Sequence, residues 1–262
     1  MTGAGFPLDA APAWPSTCSV EESSSAGLVV AGRPSLTAIA LMRLAVARGW
    51  RVAFIGAEPA PGLRELGVQA HMADIADSIA IEAVLSTLTS RWGAAPIAIV
   101  HFAQLERVRA TVTESSEDWG TLQHEQLGAA FAFAQVGAKE MLRLRGGSAV
   151  DDGSVVFVGE VSAARGIPGH PQTTAGAALA GLTGLTRQLA VEWGRLGIRV
   201  NMVQAGAVSP AGEHFSEVLR RVPLGRAGSP EEIAEACYYL ISRASSYVTG
   251  AVLPVDGGFL AT

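Results

Sequence analysis

Three polar residues form a candidate acid–base set: Glu160 and His170, which lie near the ends of predicted elements, and Gln126, which lies within a predicted helix. Glu160 follows the apolar run SVVFVG (154–159). A carboxyl group in an apolar pocket has its pKa raised toward neutrality and can exchange a proton with a substrate. His170 is a second group that titrates near neutral pH. The competing interpretation is that Glu160 is a solvated carboxylate at a loop end and His170 a surface residue.

Apolar runs of strand length alternate with longer segments of helical period from Ala26 onward. Strands are predicted at 27–31, 51–56, 68–72, 97–102, 154–159, 198–203 and 251–255, and helices at 35–48, 76–92, 116–143, 172–194 and 229–243. This order predicts an α/β fold, a single Rossmann-type, doubly wound parallel sheet of about seven strands with helices on both faces. Ligands of such sheets bind at the carboxyl ends of the strands, so chemistry is expected in the loops that follow them.

Composition excludes several classes of function. The net charge of -5 provides no basic surface for nucleic acid or anionic lipid. Apolar runs also end well before the roughly 18 residues of a membrane span. Cys18 and Cys237 are too few for a disulfide framework or a zinc site, which favours a reducing, cytoplasmic setting. Residues 1–26 are predicted to form a flexible tail, and residues 27–262 one domain that acts on a small molecule.

Two residue types that often carry proton transfer are scarce in this chain. Lys139 is the one lysine, and the three tyrosines are Tyr238, Tyr239 and Tyr247. A mechanism that needs a lysine at any other position is therefore excluded by composition.

Long segments near the C-terminus resemble a known family. GLTGLTRQLAVEWGRLGIRVN (181–201), PLGRAGSPEEIAEACYYL (223–240) and SYVTGAVLPVDGG (246–258) are similar to the short-chain dehydrogenase/reductases, and the resemblance extends over residues 27–262. It implies a Rossmann-type fold, and NAD or NADP is a possible cofactor whose binding is weakened by the changes in the glycine-rich turn described next. It also implies a dimer or tetramer, formed with copies of this chain or with a related subunit.

The glycine-rich turn of that family is largely replaced. The family's first strand leads into TGxxxGxG, whose glycines let the backbone approach the cofactor diphosphate, whereas this chain has AGRPSLTA (31–38). Leu36 and Ala38 stand at the two later glycines, so their Cβ atoms are expected to crowd a dinucleotide. Gly32 and Ser35 remain as candidate cofactor-binding residues. The spacing of this turn is closer to that of the enoyl-thioester reductases, a subgroup of the family.

Three further residues are candidate cofactor contacts by the same resemblance. Gly56 stands where an acidic residue would hold the adenosine ribose, and Glu58 either replaces that residue or is an exposed loop glutamate. Asp74 matches a residue that contacts the adenine ring, or else it caps a helix that begins near Ile75. Gly206 allows the nicotinamide half of the cofactor to approach the sheet.

The tyrosine and lysine that the family uses for proton transfer are absent from the expected helix. They act one helical turn apart, on a single face. Counting back from LAVEW places the pair at Ala175 and Leu179, and counting forward from RGIPG places it at Thr173 and Ala177. Ordinary hydride-transfer chemistry is therefore not expected, and Thr173 is kept as a candidate hydroxyl.

The serine and asparagine of the family's site also have substitutes. Glu160 stands at the serine position, with Ser162 two residues later, and Gln126 stands at the asparagine position in the long helix predicted at 116–143. An ionised carboxylate cannot donate a hydrogen bond to a substrate carbonyl, so ordinary ketone activation is disfavoured. The catalytic candidates are thus Glu160, His170, Gln126, Ser162 and Thr173.

Three functions fit these observations. The first is a repurposed catalyst of small-molecule biosynthesis, namely a lyase, isomerase, cyclase or unorthodox reductase, that transfers protons with Glu160 or His170. The second is a non-catalytic subunit that pairs with an active relative in a mixed oligomer. The third is an NAD(P)-dependent reductase that takes its proton from another residue or from water. The sequence favours the first.

Overall fold

Seven parallel strands form the sheet in the computed structural model, which describes residues 26–103, 113–143, 152–167, 171–208 and 216–262. The strands are β1 (Gly27–Gly32), β2 (Arg51–Gly56), β3 (Gln69–Met72), β4 (Ala98–Phe102), β5 (Gly153–Glu160), β6 (Ile198–Ala205) and β7 (Val252–Val255). They lie in the order β3-β2-β1-β4-β5-β6-β7, and each pairing is parallel. The predicted α/β fold class is confirmed.

The helices are α1 (Leu36–Ala47), α2 (Ser78–Trp92), α3 (Ser116–Gln123), α4 (Ala129–Arg143), α5 (Thr173–Trp193), α6 (Ser216–Leu219) and α7 (Pro230–Ile241). The five predicted helices are present, although the one predicted at 116–143 is divided into two, and the short α6 was not predicted. Side-chain caps fix several starts, because the first turn of a helix leaves backbone N–H groups without partners. The Ser35 hydroxyl accepts from the Ala38 N–H at 3.2 Å, and Asp77 accepts from the Ile79 N–H at 2.9 Å.

Alternating side chains of the strands divide the core between the two faces of the sheet. On β1, Leu28 and Val30 pack with α1 and α7, whereas Val29 and Ala31 pack with α2, α4 and α5. This is the period-two alternation expected of strands buried on both faces. The sheet is therefore covered by helices on both sides.

The structure differs from the predicted elements at three places that matter for the site. The predicted helix 116–143 contains a π-helical segment, His124–Gly128, between α3 and α4. The strands β5 and β6 extend to Glu160 and Ala205, so Glu160 belongs to a strand and not to a loop. The predicted tail falls outside the described residues, except for Ala26.

The strand order creates a switch point between β1 and β4. The chain runs from β1 outward to β2 and β3, then crosses to β4 on the other side of β1. Loops at the carboxyl ends of β1 and β4 therefore diverge in opposite directions and leave a crevice, which is the usual ligand position in such sheets.

Candidate functional site

Two clefts open at the carboxyl ends of the strands. The β5 cleft has a volume of about 550 Å³, and its lining includes Ser35, Val158, Glu160, Ile167, Gln172 and Gly206. The α3 cleft has a volume of about 810 Å³, and its lining includes Gly32, Asp74, His101, Thr121 and Gln126. Arg33, Glu58 and Phe102 line both. The two clefts therefore meet at the switch point.

Glu160 is the last residue of β5 and lines the β5 cleft beside the apolar side chains of Val158, Val161 and Ile167. Burial raises the pKa of its carboxyl group to about 7. Near neutral pH a large fraction of the group is therefore protonated, and the protonated carboxyl group can donate to a substrate oxygen. The interpretation of Glu160 as a solvated carboxylate at a loop end is wrong, because the residue is partly buried at a strand end.

The other catalytic candidates do not join Glu160 in one cleft. Gln126 is buried in the π-helical segment and lines the α3 cleft. Ser162 and Thr173 line neither cleft. The Ser162 hydroxyl is buried with no hydrogen-bond partner within the described ranges, and Thr173 is exposed at the start of α5. His170 lies outside the described residues.

Leu36 and Ala38, in the first turn of α1, do not enter the clefts. Ala38 is fully buried in the core and Leu36 is 54% exposed, and neither lines a cleft. These two side chains therefore do not narrow either cleft, and the expectation that they crowd a dinucleotide stays a prediction. Arg33, Ser35 and Thr37 line the β5 cleft instead.

Close backbone packing at the ends of β1 and β2 explains why Gly32 and Gly56 are glycines. Gly32 has a φ of 128°, and a Cβ atom there would lie 2.5 Å from the Phe102 carbonyl oxygen. A Cβ atom on Gly56 would lie 2.7 Å from the Gly32 carbonyl oxygen. Real Cβ atoms do not approach backbone oxygens this closely, so an acidic side chain cannot be placed at Gly56 without moving β1. The nearest carboxylate after this strand is that of Glu58.

Glu58 is exposed in the loop after β2, as the second interpretation predicts, and it also forms an ion pair. Its Oε1 accepts a hydrogen bond from the Arg33 guanidinium at 2.8 Å. The ion pair joins the loop after β1 to the loop after β2, at the place where the two clefts meet. The sequence contains no local signal for this pair, because 25 residues separate its members.

The positions of Asp74 and Gly206 in the structure bear on the roles predicted for them. Asp74 lines the α3 cleft, and its Oδ1 accepts from the Ala76 N–H at 2.9 Å in a local turn. The alternative that Asp74 caps the next helix is wrong, since Asp77 is the cap of α2. Gly206 lines the β5 cleft, and a Cβ atom there would lie 2.6 Å from the Asp256 Cα atom. Packing against the backbone of Asp256 is therefore one reason for this glycine.

Arg33 and His101 were not among the predicted site residues. Arg33 directly follows the β1 glycine, and this position of a charge at the switch point is the signal that could have identified it. His101 is buried near Phe133 and Phe157, and its Nδ1 has no hydrogen-bond partner within the described part of the chain. Burial lowers the pKa of His101 to about 4, so its imidazole is neutral at pH 7.

The tyrosines and the lysine lie away from both clefts. Tyr238 is buried in α7, where its hydroxyl accepts from the Trp50 indole N–H at 3.2 Å. Tyr239 and Tyr247 are exposed. Lys139 lies in α4, where its Nζ donates to a glutamine side chain one turn earlier.

In the described segments, no group of three or more His, Cys, Asp or Glu side chains is arranged to hold a metal ion. None of the helices in those segments is long and apolar enough to cross a membrane.

Comparison with known proteins identifies the family. The sequence model of the family described as enoyl-(acyl carrier protein) reductase matches residues 37–260. The chain belongs to the short-chain dehydrogenase/reductase family. Among solved structures, the TT0495 protein from Thermus thermophilus superposes with a TM-score of 0.80 at 31% identity, over 90% of this chain and 100% of that one.

Two relatives in this family illustrate its range. The 3-oxoacyl-[acyl-carrier-protein] reductase FabG of Thermotoga maritima is 34% identical over 200 residues, which are 74% of this chain and 77% of the relative. The protein of Xanthobacter autotrophicus named inactive 2-(S)-hydroxypropyl-CoM dehydrogenase 2 is 32% identical over 240 residues, which are 84% of this chain and all of the relative.

These relatives correct the function that the sequence favours. The main prediction, a catalyst repurposed for a different reaction, is wrong, and the third function, an NAD(P)-dependent reductase with a substitute proton donor, is better supported. Matched relatives are named as 3-oxoacyl-acyl-carrier-protein reductases and as other dehydrogenases. The prediction failed because it took the loss of familiar side chains as a change of reaction class. Members of a family can retain the same reaction although the side chains of the active site differ.

Proposed function

We propose that this protein is an NAD(P)-dependent reductase of a carbonyl compound, with Glu160 as the proton donor. The observation that carries the proposal is the carboxyl group of Glu160 at the end of β5, in a cleft at the switch point, with its pKa raised by burial to about 7. A general acid is most effective when its pKa lies near the working pH. Relatives named as reductases support the reaction class.

The donors that line the clefts fit a dinucleotide. Arg33, Ser35 and Thr37 line the β5 cleft at the start of α1, and the N-terminus of a helix together with a cation is the chemistry that holds a diphosphate. Asp74 and the following backbone line the α3 cleft, where they would hold the adenosine. Gly206 and Glu160 line the β5 cleft, where the nicotinamide and the substrate would lie together.

When bound, the reduced nicotinamide supplies a hydride for the carbonyl carbon. Glu160 donates its carboxyl proton to the carbonyl oxygen, which becomes a hydroxyl group, and the glutamate is left ionised. Because the side chain remains partly exposed, it regains a proton from solvent after each turnover. Phe102, Val158 and Ile167 form an apolar wall that limits water around the carboxyl group and keeps the protonated form populated.

The names of the relatives and the apolar side chains of the β5 cleft support one substrate class. The reductases of Thermotoga maritima and Pseudomonas aeruginosa are named for 3-oxoacyl groups on acyl carrier protein. A 3-oxoacyl thioester presents a ketone next to an apolar chain, and the β5 cleft offers a carboxyl group next to apolar side chains. Such thioesters are therefore the first substrates to test.

Transfer of deuterium tests the proposal. The protein is incubated with NADPH or NADH deuterated at the reactive C4 position and with a 3-oxoacyl thioester, and the product is analysed by mass spectrometry. We expect one deuterium on the carbon that carries the new hydroxyl group. The proposal fails if neither dinucleotide binds at millimolar concentration, or if both bind and no ketone of a panel acquires deuterium.

A second candidate function is that of a non-catalytic subunit. Two observations favour it: the tyrosines and the lysine lie away from the clefts, and one relative is named as an inactive dehydrogenase. On this account the protein would assemble with an active relative. Replacement of Glu160 in this chain would then leave the activity of the assembly unchanged. Turnover by the isolated protein that depends on Glu160 would exclude this candidate.

A further inference from the structure

A small apolar cluster, the mouth cluster, lies outside the two large cores on the faces of the sheet. Its members are Val161, Ile167, Val218, Leu219, Val222, Phe259 and Leu260. Three of them, Val161, Ile167 and Val218, also line the β5 cleft beside Glu160. One side of the cleft is therefore supported by this cluster.

Phe259 is the aromatic member of the mouth cluster and packs on the side away from the cleft. It is 2% exposed and does not line the cleft itself. Protein interiors are packed as densely as organic crystals, so a large side chain behind a cleft limits how far the lining side chains can move back. Phe259 is therefore placed to limit the space that a substrate can occupy.

Hydrogen bonds and close packing hold the turn that carries Phe259. The Asp256 carboxylate accepts hydrogen bonds from two backbone N–H groups of this turn, each at 2.8 Å. The turn also packs directly on the chain after α6, because a Cβ atom on Gly257 would lie 2.6 Å from Val222 Cγ1. The position of Phe259 relative to the cleft is therefore fixed by its own turn.

Arg165 connects the segment that lines the cleft to Phe259. It lies between Val161 and Ile167 in the chain, and its guanidinium donates a hydrogen bond to the Phe259 carbonyl oxygen at 3.4 Å. The guanidinium carbon is 5.3 Å from the centre of the Phe259 ring, which is within the range of a cation–π contact. A change at Arg165 should therefore affect the cleft in the same direction as a change at Phe259.

We propose that Phe259 is a specificity-determining residue that limits the length of the acyl chain in the β5 cleft, with Arg165 as its positioning residue. The inference rests on the proposed function and adds to it a selection among 3-oxoacyl thioesters. Truncation of a buried side chain leaves space that the neighbouring side chains only partly fill. When Phe259 is made smaller, the cleft-lining members of the mouth cluster can move back, and a longer chain fits.

Kinetics with acyl chains of two lengths test the inference. The 3-oxobutanoyl and 3-oxodecanoyl thioesters of N-acetylcysteamine are reduced with NADPH or NADH, and kcat/KM for the long chain is divided by kcat/KM for the short one. Phe259→Leu should raise this ratio by about threefold and Phe259→Ala by at least about tenfold, the scale of one methylene group in an apolar pocket. The change should lie in KM for the long chain, with kcat for the short chain within about threefold of wild type.

Phe54→Leu is the matched control for a lost phenylalanine. Phe54 lies in β2, is 1% exposed and packs in a main core without lining either cleft. Phe54→Leu should therefore leave the ratio of kcat/KM values unchanged. A ratio that rises as much in Phe54→Leu as in Phe259→Leu would mean that general loosening of the protein explains the result, and the inference would be wrong.

Two variants of Arg165 test its positioning role without a change in the core. Arg165→Met keeps the length of the side chain and removes its charge and its N–H donors, so the ratio should rise by about twofold to threefold through KM for the long chain. Arg165→Lys keeps the charge and a donor, and should stay closer to wild type. If the ratio equals that of wild type in both Phe259→Leu and Arg165→Met, the inference is overturned.

Binding without turnover separates this inference from the proposed function. The butanoyl and decanoyl thioesters of N-acetylcysteamine carry no ketone, and their dissociation constants from wild type and Phe259→Leu are measured by calorimetry. Phe259→Leu should shift the ratio of the two constants toward the long chain by about the same factor as in the kinetics. If this shift occurs and no ketone is reduced, the proposed function fails and the inference stands. If neither thioester binds, the inference is wrong, whichever other ketones the protein reduces.

Discussion

Glu58 and Glu160 are carboxyl groups on the rim of the same cleft, and their surroundings differ. Glu58 lies in the loop after β2, is about half exposed and pairs with Arg33 at 2.8 Å. Glu160 ends β5 among apolar side chains, and burial raises its pKa to about 7. The structure therefore holds one carboxyl group in an ion pair and the other among apolar side chains, and we propose that the second carries the proton. Environment, more than residue type, assigns the two roles.

Replacing Glu160 and replacing Glu58 should differ most in their effects on turnover. Glu160→Gln keeps the size of the side chain and removes the transferable proton, so we expect kcat for NADPH-dependent reduction to fall by about 10²- to 10⁴-fold. Glu58→Gln should change kcat at saturating NADPH by less than about threefold. Steady-state kinetics on both variants measure this difference. Equal losses in kcat for the two variants would remove the distinction between them.

A smaller effect is expected on stability, with a dependence on pH. The native state holds the Glu160 proton more tightly than the unfolded chain, so ionisation between about pH 4.5 and pH 7 lowers the free energy of unfolding. At pH 8, Glu160→Gln should therefore raise the free energy of unfolding relative to wild type by about 1–3 kcal/mol, and the gain should vanish near pH 4.5. Urea denaturation at both pH values measures it.

The matched variant in this experiment is Glu58→Gln. It should change the free energy of unfolding by less than about 1 kcal/mol at pH 8, since exposed ion pairs contribute little to stability. A gain for Glu58→Gln as large as that for Glu160→Gln would mean that relief of general negative charge, and not burial, explains the result.

The smallest effect is expected for the ion pair itself. Arg33→Gln removes an exposed ion pair and should lower the free energy of unfolding by less than about 1 kcal/mol. Arg48→Gln removes an ion pair with Glu235 of similar exposure together with the contact between the Arg48 guanidinium and the Tyr238 ring, 4.1 Å from the ring centroid. Urea denaturation without ligand should therefore show a loss for Arg33→Gln that is no larger than the loss for Arg48→Gln. A much larger loss for Arg33→Gln would show that the pair holds the two loops in place, and that its role is structural.

The fold was predictable from sequence because its signals are local. Strand-length apolar runs and helical periods alternate along the chain, and the predicted bounds lie within about two residues of most elements. The π-helical segment His124–Gly128 was not predicted, because one altered turn leaves the apolar period of the long helix almost unchanged. Asp77, which caps α2, was not predicted either, because Asp74 stands three residues before it and aspartate at either position can cap a helix.

The site was less predictable because it depends on contacts between distant segments. The raised pKa of Glu160 follows from a carboxyl group at the end of an apolar strand, and that expectation could be formed from the sequence. The pairing of Arg33 with Glu58 could not, because it requires the relative placement of two loops. The direction of Leu36 away from the clefts depends on the rotation of α1, which the motif spacing does not give.

Titration of Glu160 tests the central claim most directly. The protein is labelled with ¹³C at the glutamate side-chain carboxyl carbons, and the resonance that disappears in Glu160→Gln is followed by NMR from pH 4 to pH 9. A midpoint near pH 7 is predicted, with the carboxyl group largely protonated at pH 6. A midpoint near pH 4.5 would mean that Glu160 is ionised under working conditions, and it would contradict its assignment as the proton donor.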